Sequence, residues 1–345
     1  MPADADALVV VLALVVFSAP LGIWLAFSRD IVSRGGLSAF VAAAAGRRVA
    51  VVHGWIWSFA YFLYLPYTVT FVVYDLLAPV FPGIAPYRAA LELVLPAALV
   101  LVALAPLRPV IAALAVLGVL QLAVLLVLMG VGTAHVAPAL AHAHSAETTA
   151  RLTGTTALLF VCASLPLYLG AETRGGSRTV RRGLVAGLAV VGVVFVLAAL
   201  PFAHTADRLR DAAVPGYAIA AAYGGRSLGI AVDVLTALGT LALIVAEYLA
   251  LARLLNWLHG PPVRLVTAWL AVPFVGLDAV SLLAPDRFYE DLLQPSLGAL
   301  FVSQLVVFVV FLRGRLQPLA LAAAGVASAL AVWGLYTLLA GGAST

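Results

Sequence analysis

The chain contains no lysine, so all 19 of its basic side chains are arginines. Charged residues of both signs make up only 10% of its 345 residues, against about 25% in soluble domains. With 64% hydrophobic residues and a mean hydropathy of +1.13, too little polar sequence remains to cover a water-facing exterior. A soluble globular protein is excluded. The single cysteine, Cys162, rules out an internal disulfide or a thiolate metal cluster; its apolar setting reads as packing. The net charge of +4 would elsewhere suggest nucleic acid, but a basic patch needs a solvated face, and no nucleic-acid partner is expected. The opening MPADADAL lacks the basic region of a cleaved signal peptide. No phosphate-gripping glycine loop, HExxH or nucleophile elbow occurs in usable context. Neither an enzyme nor a bound cofactor is expected. No sequence repeat of 20–50 residues is visible, although structural repeats in transporters can be almost silent in sequence.

What is present is a series of long apolar segments. A bilayer core about 30 Å thick takes about 20 helical residues to cross, and unpaired backbone groups cannot remain in hydrocarbon. Ten helical spans are predicted: Leu8–Ser28, Val51–Leu77, Ala89–Leu107, Val110–Gly132, Leu152–Ala171, Gly183–Phe202, Ser227–Leu251, Leu265–Ala284, Ser296–Leu312 and Leu316–Leu339. The expected fold is an all-α polytopic membrane protein of about ten transmembrane helices, one integral-membrane domain over residues 1–345, with the lipid bilayer as its first partner.

The arginines orient it. Thirteen of the 19 fall in the loops after the odd-numbered spans, from Arg29, Arg34, Arg47 and Arg48 to Arg313 and Arg315. By the positive-inside rule that side is cytoplasmic. Both termini are then extracytoplasmic, in a multi-pass protein of a bacterial-type inner membrane. Two longer external stretches stand out. Thr133–Arg151 carries His135, His142 and His144, a metal-binding group or simply a polar loop. Ala203–Arg226 reads as an amphipathic surface helix or a loop covering a gate.

Two segments carry a resemblance. Ser33–Leu63, with Gly35, Gly36, Phe40, Gly46, Arg47, Gly54 and Trp55, resembles the stretch joining the second and third helices of the amino acid/polyamine/organocation (APC) permeases. Leu158–Leu200 resembles their sixth helix, following loop and seventh helix, with Glu172 at the glutamate opening that loop; Ala218–Pro262 is similar to the eighth. The resemblance implies a LeuT/APC-like bundle of inverted repeats, with broken helices holding substrate at mid-membrane. It places four helices of the first repeat at 8–132, five of the second at 152–312, and an extra helix at 316–339. Leu8–Ser28 matches the family's second helix, so the family's first helix has no counterpart and the bundle is expected to be N-terminally incomplete. Where the family's sixth helix breaks, this chain has Cys162, Ala163 and Ser164, followed by Pro166. A helical proline frees the carbonyl four residues earlier, here that of Cys162. These four residues are the candidate substrate site, or else a simple packed kink.

Other polar groups at membrane depth are costly and therefore informative. Asp233 and Glu247 lie fourteen residues apart in one span, on similar faces. They read as gating or ion-coupling groups, as Glu172 does, or as interfacial carboxylates, with Arg253 as a partner for Glu247. Asp278 beside Pro273 and Gly276 reads either as a proton carrier or as a hydrogen-bonded helix contact. Tyr61 and Tyr64 line a cavity or belong to the aromatic crowd of their helix; Trp55 and Trp57 fit a membrane interface. The resemblance implies secondary transport of an amino acid or small organic amine, coupled to a proton or cation. The alternative is a permease-derived binding or assembly protein that no longer transports, and a partner membrane protein supplying the missing helix fits either reading.

Overall fold

The computed structural model describes residues 6–141, 144–201, 204–313, 315 and 317–341. Among these residues the regular structure is helical throughout. Ten helices are long and apolar enough to cross a membrane, by length and composition: α1 (Ala7–Phe27), α3 (Arg47–Val80), α4 (Pro82–Leu104), α5 (Leu107–His135), α6 (Ala146–Glu172), α7 (Gly176–Ala199), α9 (Arg226–His259), α10 (Val263–Ser281), α11 (Pro285–Phe311, crossing from Asp291) and α12 (Pro318–Gly341). Two shorter helices of ten residues, α2 (Gly36–Ala45) and α8 (Pro215–Gly224), lie between them, with a single turn at Asp207–Arg210. Large apolar side chains such as Val119, Val272 and Leu319 face outward on this bundle, as lipid contact requires.

The arginine-bearing segments meet at one end. Arg47 donates to the Trp257 and Leu258 carbonyls at the end of α9, both at 3.1 Å, and its guanidinium lies 4.0 Å over the Trp257 ring. Arg315 stacks over Phe27 and Phe311. At the opposite end the Leu8 amide donates to the Leu140 carbonyl, and the Ala139 amide to that of Leu200.

Helices α3 and α9 are longer than the sequence predicts, at 34 residues each. That is about 51 Å of helix, well beyond the hydrocarbon core. Hydropathy ends a span at the first charges, but a helix continues past them into water. Within α3 the backbone widens to a π-helix over Val72–Leu77, leading into Pro79, which has no amide to donate.

Both long helices begin in the same way. Helix α2 ends at Gly46 (φ 87°, ψ 165°), followed by Arg47 and α3; helix α8 ends at Gly225 (φ 84°, ψ 165°), followed by Arg226 and α9. The Gly46 amide caps the Ala42 carbonyl at 3.0 Å and the Gly225 amide caps Ala221 at 3.1 Å. A backbone of this kind is open essentially to glycine alone. One unit starts at the arginine-bearing end and the other at the opposite end. Their surroundings also correspond: α2 and α3 both pack on α11, whereas α8 and α9 both pack on α5. The stretch before α9 is therefore not an amphipathic surface helix. It contains an apolar helix with Ile219 and Ala220 buried among Val124, Leu128 and Val232.

The core is aromatic at its centre. Trp57 is fully buried, its ring 4.0 Å from Tyr61 and 4.2 Å from Tyr168. The interfacial reading of Trp57 is thus corrected, while Trp55, half exposed, lies against His259. Two helical residues span about 200°, so the two indoles point to opposite faces. His53 ties three helices: its Nε2–H donates to the Ser303 carbonyl (3.2 Å) and its Nδ1 accepts from Ser38 (2.8 Å). Both ring nitrogens are satisfied by the neutral form.

Candidate functional site

Helix α6 changes pitch midway. It is α-helical to Leu158 and then a 3₁₀-helix for 14 residues, Leu159–Glu172. Such runs rarely exceed 3–4 residues, so this one is an irregular feature at membrane depth. Cys162, Ala163, Ser164 and Pro166 all lie on it. The expected interruption is therefore a tightening rather than a break. In a 3₁₀ ladder the amide of residue 166 would serve the carbonyl three residues earlier. Proline thus deprives Ala163, not Cys162, of its regular partner, and Pro166 itself faces outward.

Facing this segment are Tyr61 of α3 and Glu247 of α9. The Tyr61 hydroxyl sits beside Ser164, within electrostatic range of Cys162, Tyr168 and Glu247. Glu247 is fully buried, and neither carboxylate oxygen has a hydrogen-bond partner among the described residues. The Tyr61 and Ser164 hydroxyls approach without completing a well-aligned bond. A buried carboxylate without a partner is costly. A carboxylate and two hydroxyls together form a set of acceptors suited to an ammonium group or a proton. Tyr64 is not part of this cluster; its ring lies 5.4 Å from Tyr67.

Glu172 closes the arginine-bearing end of α6. Arg253 of α9 donates to its Oε2 from Nη2 at 2.6 Å and from Nε at 3.1 Å; Arg34, between α1 and α2, donates to its Oε1 at 3.0 Å. A cavity of about 350 Å³ abuts this bridge, lined also by Arg264 and Thr267. Arg253 is therefore the partner of Glu172 and not of Glu247. The distance along α9 explains this: Glu247 lies almost two turns deeper than Arg253.

Asp233 is 1% exposed and its carboxylate is unpaired among the described residues, one turn before Ala237, which packs on Val72 and Leu76 of the π-helical stretch. It stands about 21 Å along α9 from Glu247, and the two do not share a site. Asp278 belongs to a further buried group that sequence reasoning missed. Glu92 of α4 and Asp278 of α10 are both fully buried and lie in mutual electrostatic range. The Ser281 hydroxyl is 2.5 Å from Glu92 Oε2 and 2.6 Å from the Asp278 carbonyl, with Thr70 of α3 alongside. The available signal was a single acid in an otherwise apolar span.

Among the described residues, no group of three histidine, cysteine, aspartate or glutamate side chains is placed to hold a metal. His142 lies outside the described residues; His135 stacks on Tyr223, and His144 approaches Asp6 at 3.9 Å. Comparisons with known protein families and with characterised proteins find no match. What stands is an all-α, multi-spanning membrane bundle whose interior holds carboxylates that have no partner among the described residues.

Proposed function

We propose that this protein is a secondary transporter for amino acids or related small organic amines, working by alternating access. The observation that carries the reading is Glu247, a buried carboxylate without a partner, set against the hydroxyls of Tyr61 and Ser164 on an irregular transmembrane helix. Intramembrane ionisable groups facing such irregular backbone mark substrate or ion paths. A cationic amine docked there would satisfy Glu247, and the Ala163 carbonyl would add a neutral acceptor. No covalent chemistry is required.

The paired helix–Gly–Arg units favour an inverted repeat, with α1–α5 (8–132) related to α7–α11 and α6 leading the second half (152–312). Under that pairing α3 and α9 are equivalent helices running in opposite directions, which is how transporters place one site between two gates. Glu172, held by Arg34 and Arg253, is the gate at the arginine-bearing end. Asp233 is assigned to the opposite end, and the Glu92–Asp278 pair to proton or cation coupling.

Counterflow into liposomes tests this. Purified protein should exchange at least one labelled amino acid or amine from a broad panel, and Glu247→Gln should abolish it. Folded protein that exchanges nothing, and instead purifies in a stable complex with another membrane protein, would establish the assembly reading.

A further inference from the structure

Helices α1 and α7 form a wedge. At one end they touch closely: a β-carbon on Gly192 would fall 2.8 Å from the Leu14 side chain. Toward the arginine-bearing end they diverge, and a β-carbon on Gly22 would meet nothing within 4 Å. The opening is a cavity of about 740 Å³, with apolar walls that include Leu25 of α1 and Val185 of α7. Its mouth is lined by Arg29, Arg178, Arg181 and Arg182 and by no acidic side chain. Three arginines of this end outside the wedge are engaged: Arg34 and Arg253 hold Glu172, and Arg47 caps α9. Among the described residues, none of the four at the wedge makes an ion pair or a side-chain hydrogen bond. The Arg181 Nε is buried with no partner at all.

Four guanidinium groups converging without a counter-charge repel one another, and a buried N–H left unpaired costs about 1–3 kcal/mol. An anion with several acceptor oxygens resolves both. Arginine forks match phosphate oxygens two at a time, and basic pockets between transmembrane helices recruit lipid headgroups. The apolar walls continue from the arginines toward the bilayer interior, where Val185 is 47% exposed. A soluble phosphate would leave that surface uncovered, whereas an acyl chain would lie along it.

We infer that the wedge between α1 and α7 binds an anionic phospholipid, its phosphate held by Arg29, Arg178, Arg181 and Arg182 and one acyl chain lying against Leu25 and Val185. The site is independent of the transport reading and stands or falls separately from it.

The test uses the whole protein in detergent, titrated with phosphatidylglycerol, phosphatidylcholine or inorganic phosphate, and followed by thermal unfolding and native mass spectrometry. Phosphatidylglycerol should raise the unfolding temperature and remain bound, whereas phosphatidylcholine and inorganic phosphate should do neither. The triple variant R178Q/R181Q/R182Q should lose retention by roughly 100-fold, on the attraction expected per basic residue at an anionic surface. Gly22→Leu, which fills the wedge where space is free, should lose it as well. Arg108→Gln, on the same end but outside the cavity, should behave as wild type. Equal retention by the wild-type and triple variants would overturn the proposal, as would stabilisation by inorganic phosphate alone.

Discussion

Gly46 and Gly225 adopt the same backbone conformation to within a few degrees, each ending a ten-residue helix and preceding an arginine that opens a 34-residue one. Neither position is crowded, since an added β-carbon would meet nothing within 4 Å at either. Their glycines are therefore required by dihedral angle alone. Gly46→Ala and Gly225→Ala should each destabilise by about 1–3 kcal/mol. Gly22→Ala, equally uncrowded but with an ordinary φ inside α1, serves as the control and should hold or slightly raise the unfolding temperature.

Glu247→Gln keeps the shape of the side chain and removes its charge. If the carboxylate pairs with a substrate ammonium, binding should fall by about 2–5 kcal/mol, a weakening of at least about 30-fold. Stability should not fall, because Glu247 has no partner among the described residues to lose. Equilibrium binding and thermal unfolding of the same samples separate the two effects. A variant that unfolds early and still binds would contradict the assignment.

Glu172 holds two arginines of unequal burial. Arg253 is 5% exposed and bonds through two nitrogens, whereas Arg34 is 42% exposed and bonds through one. Double-mutant cycles on unfolding should give Glu172–Arg34 a coupling below about 1 kcal/mol, as for exposed pairs. The Glu172–Arg253 coupling should be clearly larger and less sensitive to salt.

The carboxyl group of Asp278 is fully buried with both oxygens unpaired, whereas Ser281 binds Glu92 directly. Asp278→Asn should therefore maintain or raise the unfolding temperature. Ser281→Ala should lower stability by about 1–3 kcal/mol, by leaving Glu92 without its hydrogen bond. The opposite order would show that Asp278, rather than Ser281, holds α10 against its neighbours.

The ten crossings were legible because lipid exposure forces long apolar runs, and the arginine spacing already sorted their ends. The glycines of Ser33–Leu63 were legible as a pattern, but their cause required three dimensions. A β-carbon on Gly35 would strike the Trp257 ring at 2.6 Å, and one on Gly36 the Tyr168 ring at 2.5 Å, partners more than a hundred positions away. Tyr61, Cys162, Ser164 and Glu247 were each visible as candidates, but their convergence depends on how α3, α6 and α9 cross. Arg253 was matched to the wrong glutamate because proximity along one helix outweighed, in sequence, a partner on another. The geometric likeness of α2–α3 and α8–α9 escaped because the two stretches share little in sequence beyond the glycine and arginine at each junction.

The 3₁₀ stretch Leu159–Glu172 also has a mechanical consequence. A 3₁₀-helix rises about 2.0 Å per residue and an α-helix about 1.5 Å. Rewinding these 14 residues to the wider coil would shorten them by about 7 Å. Glu172 stands at the tip of that spring, so such a recoil would pull its carboxylate out of reach of both Arg34 and Arg253.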